Sequence, residues 1–220
     1  MTSDDWTVQR LSMVRKIKTL VRALRRSGQD IELDQRVLDA MATIPRQAFV
    51  PESAAGDAYA NSPIDIGFAQ TISQPLIVAI MSSLAQLSPS ARVLEVGTGS
   101  GYQAAVLAAL AGHVYTVEKI RDLAHGARQA LAQQRIVNVS MRIADGYQGW
   151  EEHAPFDAIL VTAAPPDVPE ALIQQLAPGG RLVIPVGEAN QILTLIDKAA
   201  DGTLRRTPIL EVRFVPLVAD

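Results

Sequence analysis

Cysteine is missing from all 220 residues, which excludes disulfide frameworks, thiol nucleophiles and cysteine-based metal sites together. Histidine is scarce. His113, His125 and His153 show no H-x-x-x-H ligand spacing, so each reads as a surface or structural residue and no metal centre is expected. Long apolar runs are absent too: "LIVAIM" and "AAVLAALAG" fall short of a bilayer span, and the opening "MTSDDW" is acidic without an apolar core. A cytoplasmic location with no membrane partner is the expectation. Neither sign of charge dominates, the net value being −3 with an isoelectric point near 5.6, so the overall field gives no hold on nucleic acid. Repeats, linkers and low-complexity segments are likewise missing.

What remains suits one compact domain with a short appendage, since 48% of residues are apolar. Seven of the 20 basic residues fall between Arg10 and Arg26. That stretch places Leu11, Val14, Ile17, Leu20, Val21 and Leu24 at helical period, an amphipathic helix with a basic outer face. A solvated face on a docked helix is the plain account, and an anionic partner the alternative. No aromatic residue interleaves the charges for base stacking, so no nucleic-acid partner is expected.

A second helix is expected from Asp34 to Ile44, ended by Pro45. Phe49 to Pro75 is dense in Gly, Pro, Ser and Asn and is too long for an ordinary connection. Its scattered apolar residues, among them Tyr59, Ile64 and Ile72, favour an ordered, packed loop. After a helix at "LIVAIMSSLAQL", strands and helices alternate. Strands are read at "ARVLEV", "HVYTVE", "VSMRI", "FDAILV" and "RLVIPV", with helices at Gly101 to Ala111, Arg121 to Gln134 and Pro169 to Leu176. Nearly all-apolar strands separated by helices predict a doubly wound, mostly parallel α/β sheet covered on both faces. "QILTLI" and "LEVRFVPL" lack an intervening helix and predict an antiparallel C-terminal edge, giving seven strands in all. Residues 1–75 then form N-terminal helices and a covering loop, and residues 76–220 the ligand-binding core.

Gly97, Gly99 and Gly101 leave the strand "ARVLEV" as G-x-G-x-G, with Tyr102 where a dinucleotide fingerprint needs its third glycine. A phosphate-binding P-loop is excluded, because no Gly-Lys-Ser/Thr follows. Glu95 would oppose a pyrophosphate and suits a ligand carrying an amino group or positive charge. Glu118 ends the next strand, 21 residues beyond Gly97, where an acid accepts both hydroxyls of a ribose. Asp145 ends the third and could accept from an adenine amino group, with the Gly146 amide near the ring. Three acids at successive strand ends describe a phosphate-free nucleoside with a cationic amino-acid end, S-adenosylmethionine. Taken singly, each acid reads equally as a strand-end cap or turn former.

"VLDAMATIPRQAFVP", "QTISQP", "VLEVGTGSGYQAAVLAAL", "PFDAILVTAA", "LAPGGRLVIPVG" and "FVPL" resemble, in order, the protein-L-isoaspartate O-methyltransferase family. The resemblance runs from about Arg36 to Leu217, and "QTISQP" is its most specific part. It implies a Rossmann-like class I methyltransferase fold with S-adenosylmethionine as cofactor. The implied activity is methylation of the free carboxylate of L-isoaspartyl residues in damaged peptides and proteins, followed by spontaneous closure to succinimide and partial return to aspartate. It implies Ser73 as the active-site residue that hydrogen-bonds the attacking carboxylate. Cofactor contacts are expected from Gln70, Thr71, Ile72, Glu95, Gly97, Thr98, Gly99, Gly101, Glu118, Lys119, Asp145, Gly146 and Thr162. The partners are isoaspartyl-containing peptides and proteins, and a monomer is expected. Ser73 also reads as a helix N-cap before Gln74-Pro75.

Arg46 to Pro51 and "RFVPLV" match segments that flank the peptide site in that family, and "RFVPLV" reads equally as a buried edge strand. Ala69 stands where the family usually has glycine, Asn61 where it often has an acid, Asp65 near a common proline, and Ala144 where glycine often precedes the acid. These departures bear on substrate preference, which leaves a carboxylate methyltransferase dedicated to one peptide as a rival. A nucleic-acid amino-methyltransferase fits less well, because "TAAPPD" lacks an Asn/Asp-Pro-Pro-aromatic grip for a flipped base. A non-catalytic adenosylmethionine-binding scaffold is opposed by the intact acids and Ser73.

Overall fold

The computed structural model describes residues 3–218. Helix α1 (Ser3–Arg26) begins seven residues before the basic stretch, because Asp4 and Asp5 supply acids to its first turn, and it ends on Arg25 and Arg26, each charge matching the helix dipole. Helix α2 (Gln35–Thr43) starts at Asp34, whose side chain accepts the Arg36 amide, and stops before Pro45. Short 3₁₀ turns at Arg46–Phe49 and Glu52–Asp57 follow. The segment read as loop then contains a two-stranded hairpin, β1 (Ile64–Gly67) with β2 (Gln70–Ile72). Its turn residues Phe68 and Ala69 have φ of 57° and 56°, a left-handed pair that neither residue advertises in sequence.

Helix α3 (Pro75–Leu84) opens the alternating part of the chain. There follow β3 (Arg92–Val96), α4 (Tyr102–Ala108), β4 (His113–Glu118), α5 (Arg121–Gln133), β5 (Val139–Ile143), β6 (Phe156–Val161) and α6 (Glu170–Gln175). Strands β7 (Leu176–Val186), β8 (Gln191–Lys198) and β9 (Leu204–Val212) close the chain. The seven-stranded sheet has the order β5-β4-β3-β6-β7-β8-β9, parallel from β5 to β7, with β8 antiparallel to both neighbours. Val93, Leu94, Val96, Ile159, Leu160 and Val161 are fully buried, as expected of central strands covered on both faces.

One face of the sheet carries a large apolar cluster that runs without a break from Ile17 of α1 and Met41 of α2 through Ile80 of α3 to Val93, Leu160 and Val183. The smaller cluster on the other face joins Leu94, Val96 and Ile159 to Leu172 of α6. Strand order reverses between β3 and β6, so their carboxyl ends open a crevice, the usual ligand position in sheets of this kind.

Two boundaries differ from the sequence reading. Strand β7 begins at Leu176, pairing with Phe156 before an irregularity at Ala158 and Arg181. The last strand ends at Val212, so Arg213–Val218 is neither an extension of the ladder nor an edge strand. Pro216 lacks the amide a ladder needs. That tail instead crosses to the end of β6, where Ala164 donates to Val215 O and Leu217 donates to Ala164 O.

Candidate active site

The glycine loop runs from β3 into α4 at the crevice. Gly97 has φ of 94°, and a Cβ there would lie 2.5 Å from Thr162 Oγ1. Only glycine lets this turn approach β6 so closely. The Gly97 amide donates to Val117 O at 2.8 Å, and Thr162 Oγ1 donates to Gly97 O. Glu118, 6% exposed, accepts the Gly99 amide on Oε2 at 2.8 Å and the Ile120 amide on Oε1 at 2.9 Å. One carboxylate therefore fixes both the loop and the end of β4, and charged acceptors make the stronger of such bonds.

Three spaces that share lining residues lie at this end of the sheet. The first, with about 510 Å³ of empty volume that includes space open to solvent, is walled by Gly97, Gly99, Glu118, Lys119, Gly146 and Thr162, with Gln70 and Thr71 of the hairpin on its other side. The second is an apolar groove of about 1080 Å³, measured the same way, between Ser73, Leu76 and Ile77 and the segment Leu210 to Val215. The third, smaller space joins Ser73, Ile72 and Thr98 to Tyr102. Thr71 and Thr162 border all three. They form the partition between the first space and the open groove, with Ser73 on the groove side.

The hydroxyl of Ser73 has no hydrogen-bond partner among the described residues, although its carbonyl accepts from Arg46 Nη2 at 2.8 Å. The N-cap reading of Ser73 is overturned. Gln74 occupies the cap position with no side-chain bond, and Asn61 Oδ1 accepts the Leu76 amide at 2.9 Å instead. Asn61 thus caps α3 from across the loop and leaves the serine free.

Three of the expected cofactor residues are off the cavity walls. Glu95 is fully buried behind the loop, where the Thr116 hydroxyl donates to Oε2 and Thr98 and Thr116 share a bond of 2.6 Å. Its Oε1 is buried without a partner. Burial pushes Glu95 up to about 8, against the Thr116 hydrogen bond, while the nearby Glu118 charge adds to the rise. Its place beside the loop therefore makes it a neutral internal acid at pH 7 rather than a carboxylate on the cavity wall, which corrects the expectation that it meets a cationic end directly. Gly101, with φ of 87°, caps α4, and a Cβ there would come 3.2 Å from that of Ala127. Asp145 accepts the Tyr147 amide at 2.9 Å and turns the chain so that Gly146 reaches the wall.

Sequence reasoning set the tail beside the peptide site and missed its place on the first cavity. Val215, Pro216 and Leu217 line the first cavity, and a Cβ on Gly146 would meet Val96 Cγ1 at 2.6 Å and Leu217 Cδ1 at 3.2 Å. "FVPL" was a signal in sequence, but its extended reading hid which space it walls. No group of acids and histidines among the described residues is arranged to hold a metal, and no described helix is long and apolar enough to cross a membrane.

A seven-stranded sheet of this order, with a glycine loop leaving β3 and an acid ending β4, defines a class I S-adenosylmethionine-dependent methyltransferase. The donor set fits that cofactor, since the Glu118 carboxylate on the wall suits ribose hydroxyls and opposes phosphates. Residues 15–220 match the family model described as protein-L-isoaspartate(D-aspartate) O-methyltransferase, and the chain belongs to that family. It is 53% identical over 207 residues to protein-L-isoaspartate O-methyltransferase 2 of Polaromonas sp., covering 93% of this chain and 98% of that one. It is 56% identical over 186 residues to protein-L-isoaspartate O-methyltransferase of Geobacter metallireducens, covering 84% and 86%. Among solved structures, a protein-L-isoaspartate O-methyltransferase superposes with a TM-score of 0.80 at 30% identity over 94% of this chain, which spans 65% of that longer one. A Plasmodium falciparum structure described as such an enzyme in complex with S-adenosyl-L-homocysteine gives 0.79 at 26% identity, covering 96% and 99%.

Proposed function

We propose that this chain methylates the free carboxylate of L-isoaspartyl residues in peptides and proteins, forming an ester that closes to succinimide and returns in part to aspartate. The observation that carries the reading is the partition at Thr71 and Thr162, with a free serine hydroxyl on its groove side. Bound S-adenosylmethionine supplies a methyl group already activated on a sulfonium. Glu118 would hold the ribose hydroxyls through the lone pairs that its two amide bonds leave, and Gly146, set on the wall by the turn that Asp145 caps, would meet the adenine. Gln70 and Thr71 would close over that cavity, with Gly97, Gly99 and Lys119 beneath and Thr162 at the partition, while Ile72 and Thr98 line the smaller space beside Ser73.

The acceptor is a carboxylate, ionised at pH 7, so this chain needs no general base. What it must supply is alignment. In this reading Ser73 donates its hydroxyl to one acceptor oxygen and so aims the other through the partition. Oxygen–methyl bond formation and sulfur–methyl bond cleavage balance without proton transfer. The groove between α3 and the segment from Leu210 to Val215 takes the peptide, its open mouth suiting an extended chain. The same reading takes the protein as a cytoplasmic monomer acting on proteins and not on nucleic acid, supported by walls that one chain completes and by a cysteine-free composition compatible with a reducing compartment.

The test pairs two synthetic peptides that differ only in isoaspartate or aspartate, incubated with methyl-labelled S-adenosylmethionine. Base-labile label on the isoaspartyl peptide alone is expected. Equal labelling of both, or of neither while the cofactor binds, would overturn the reading.

A further inference from the structure

Arg46 is a fully buried cation with no ion-pair partner among the described residues. Its Nε donates to Ala58 O at 2.7 Å, its Nη2 to Ser73 O at 2.8 Å, and its guanidinium carbon lies 4.8 Å above the centre of the Tyr102 ring. Nη1 is buried without a partner. Burial lowers its pKa to about 10, with the Tyr102 and Tyr59 hydroxyls opposing the drop, so the group remains a cation at pH 7.

Burying an uncompensated charge is costly, and an apolar side chain of similar length would fill the space without that cost. What the guanidinium does that an apolar chain cannot is join three segments. Ala58 belongs to the loop before the hairpin, Ser73 stands between β2 and α3, and Tyr102 is the first residue of α4 after the glycine loop. Ser73 lies outside the β1–β2 ladder and ahead of the helix. Arg46 supplies the one hydrogen bond its carbonyl receives among the described residues, and the forked guanidinium fixes two carbonyls at once.

We infer that Arg46 is the positioning residue for Ser73, tying the serine backbone to the start of α4 so that its hydroxyl stays aligned with the cofactor side of the partition. The inference rests on the reading of Ser73 as the donor to the acceptor carboxylate. Arg46 touches neither reactant, and its effect passes through the serine. Its removal therefore acts on turnover and leaves the cofactor cavity, which it does not line, intact.

The experiment is a double-mutant cycle of Arg46→Lys and Arg46→Met against Ser73→Ala, read as kcat and KM for an isoaspartyl peptide. Calorimetric affinity for S-adenosylhomocysteine and melting temperature accompany each variant. Lysine keeps the charge but lacks the rigid planar fork set between the two carbonyls and over the Tyr102 ring, and methionine suits an apolar site should lysine fail to fold. Folded Arg46 variants are expected to lose roughly tenfold or more in kcat, with cofactor affinity within about twofold of the parent. In the Ser73→Ala background they are expected to lose little further, because the serine is the group they position. Parental kcat in a folded Arg46 variant would overturn the inference, as would losses that simply multiply with that of Ser73→Ala. Ser73→Ala with parental kcat would instead overturn the reading of the serine, and the positioning role with it.

Discussion

Asn61 Oδ1 stands 2.9 Å from the Leu76 amide and caps a helix fifteen residues further along the chain. The cap explains how an amide serves at a position where the family often has an acid, since either side chain presents an oxygen to the exposed amides of α3. Asn61→Ala should cost about 1 kcal/mol in urea unfolding, whereas Asn61→Asp should cost little or stabilise through the helix dipole. Equal losses in both variants would remove the cap from the account.

The Phe68-Ala69 turn holds two side chains in left-handed backbone that glycine adopts freely. Ala69→Gly should raise stability by about 1 kcal/mol, the relief of strain exceeding the added entropy of the unfolded chain. Denaturant midpoints at constant slope check this, and a loss of stability would show that the turn is not strained at Ala69.

Glu95 gives the fold a pH dependence whose sign is fixed. Its folded pKa of about 8 lies above the ordinary 4.5, so the stability it contributes is complete below pH 4.5 and is lost as pH rises through 8. Glu95→Gln removes this dependence. The stability difference between variant and parent should shift in favour of the variant by about 3 kcal/mol between pH 5 and pH 8. A difference that stays flat across that range would mean that Glu95 is ionised in the folded protein.

Gly97→Ala must place a Cβ 2.5 Å from Thr162 Oγ1 at a φ of 94°. The loop has to move, and with it the wall of the first cavity. Affinity for S-adenosylhomocysteine should fall at least about tenfold by calorimetry, for a strain on the order of 1–2 kcal/mol. Adding Thr162→Ala should recover only part, because the backbone angle remains.

The central strands were legible because burial on both faces leaves near-continuous apolar runs, and the loop was legible because G-x-G-x-G followed by tyrosine departs from the dinucleotide spacing. Sequence fails where register and tertiary contact decide. Glu95 pairs across the sheet with Thr116, which turns both side chains to one face and draws the acid away from the cavity. No spacing rule reveals that pairing. The hairpin was hidden because Phe68 and Ala69 carry none of the usual turn chemistry, and "LEVRFVPL" alternates well enough to mimic a strand that Val212 in fact ends. The resemblance marked the segment that starts at Arg46 but not the burial of its side chain, since a buried arginine and a solvated one read alike in a sequence.

The tail from Leu210 to Val218 walls the groove along its first part and the nucleoside cavity along its last. A purification tag or fusion partner appended after residue 220 would therefore start two residues beyond Val218 on the wall of the first cavity and five beyond Val215 on that of the groove, while residues 3–23 line none of the three. Handles for immobilisation or display belong at the amino end.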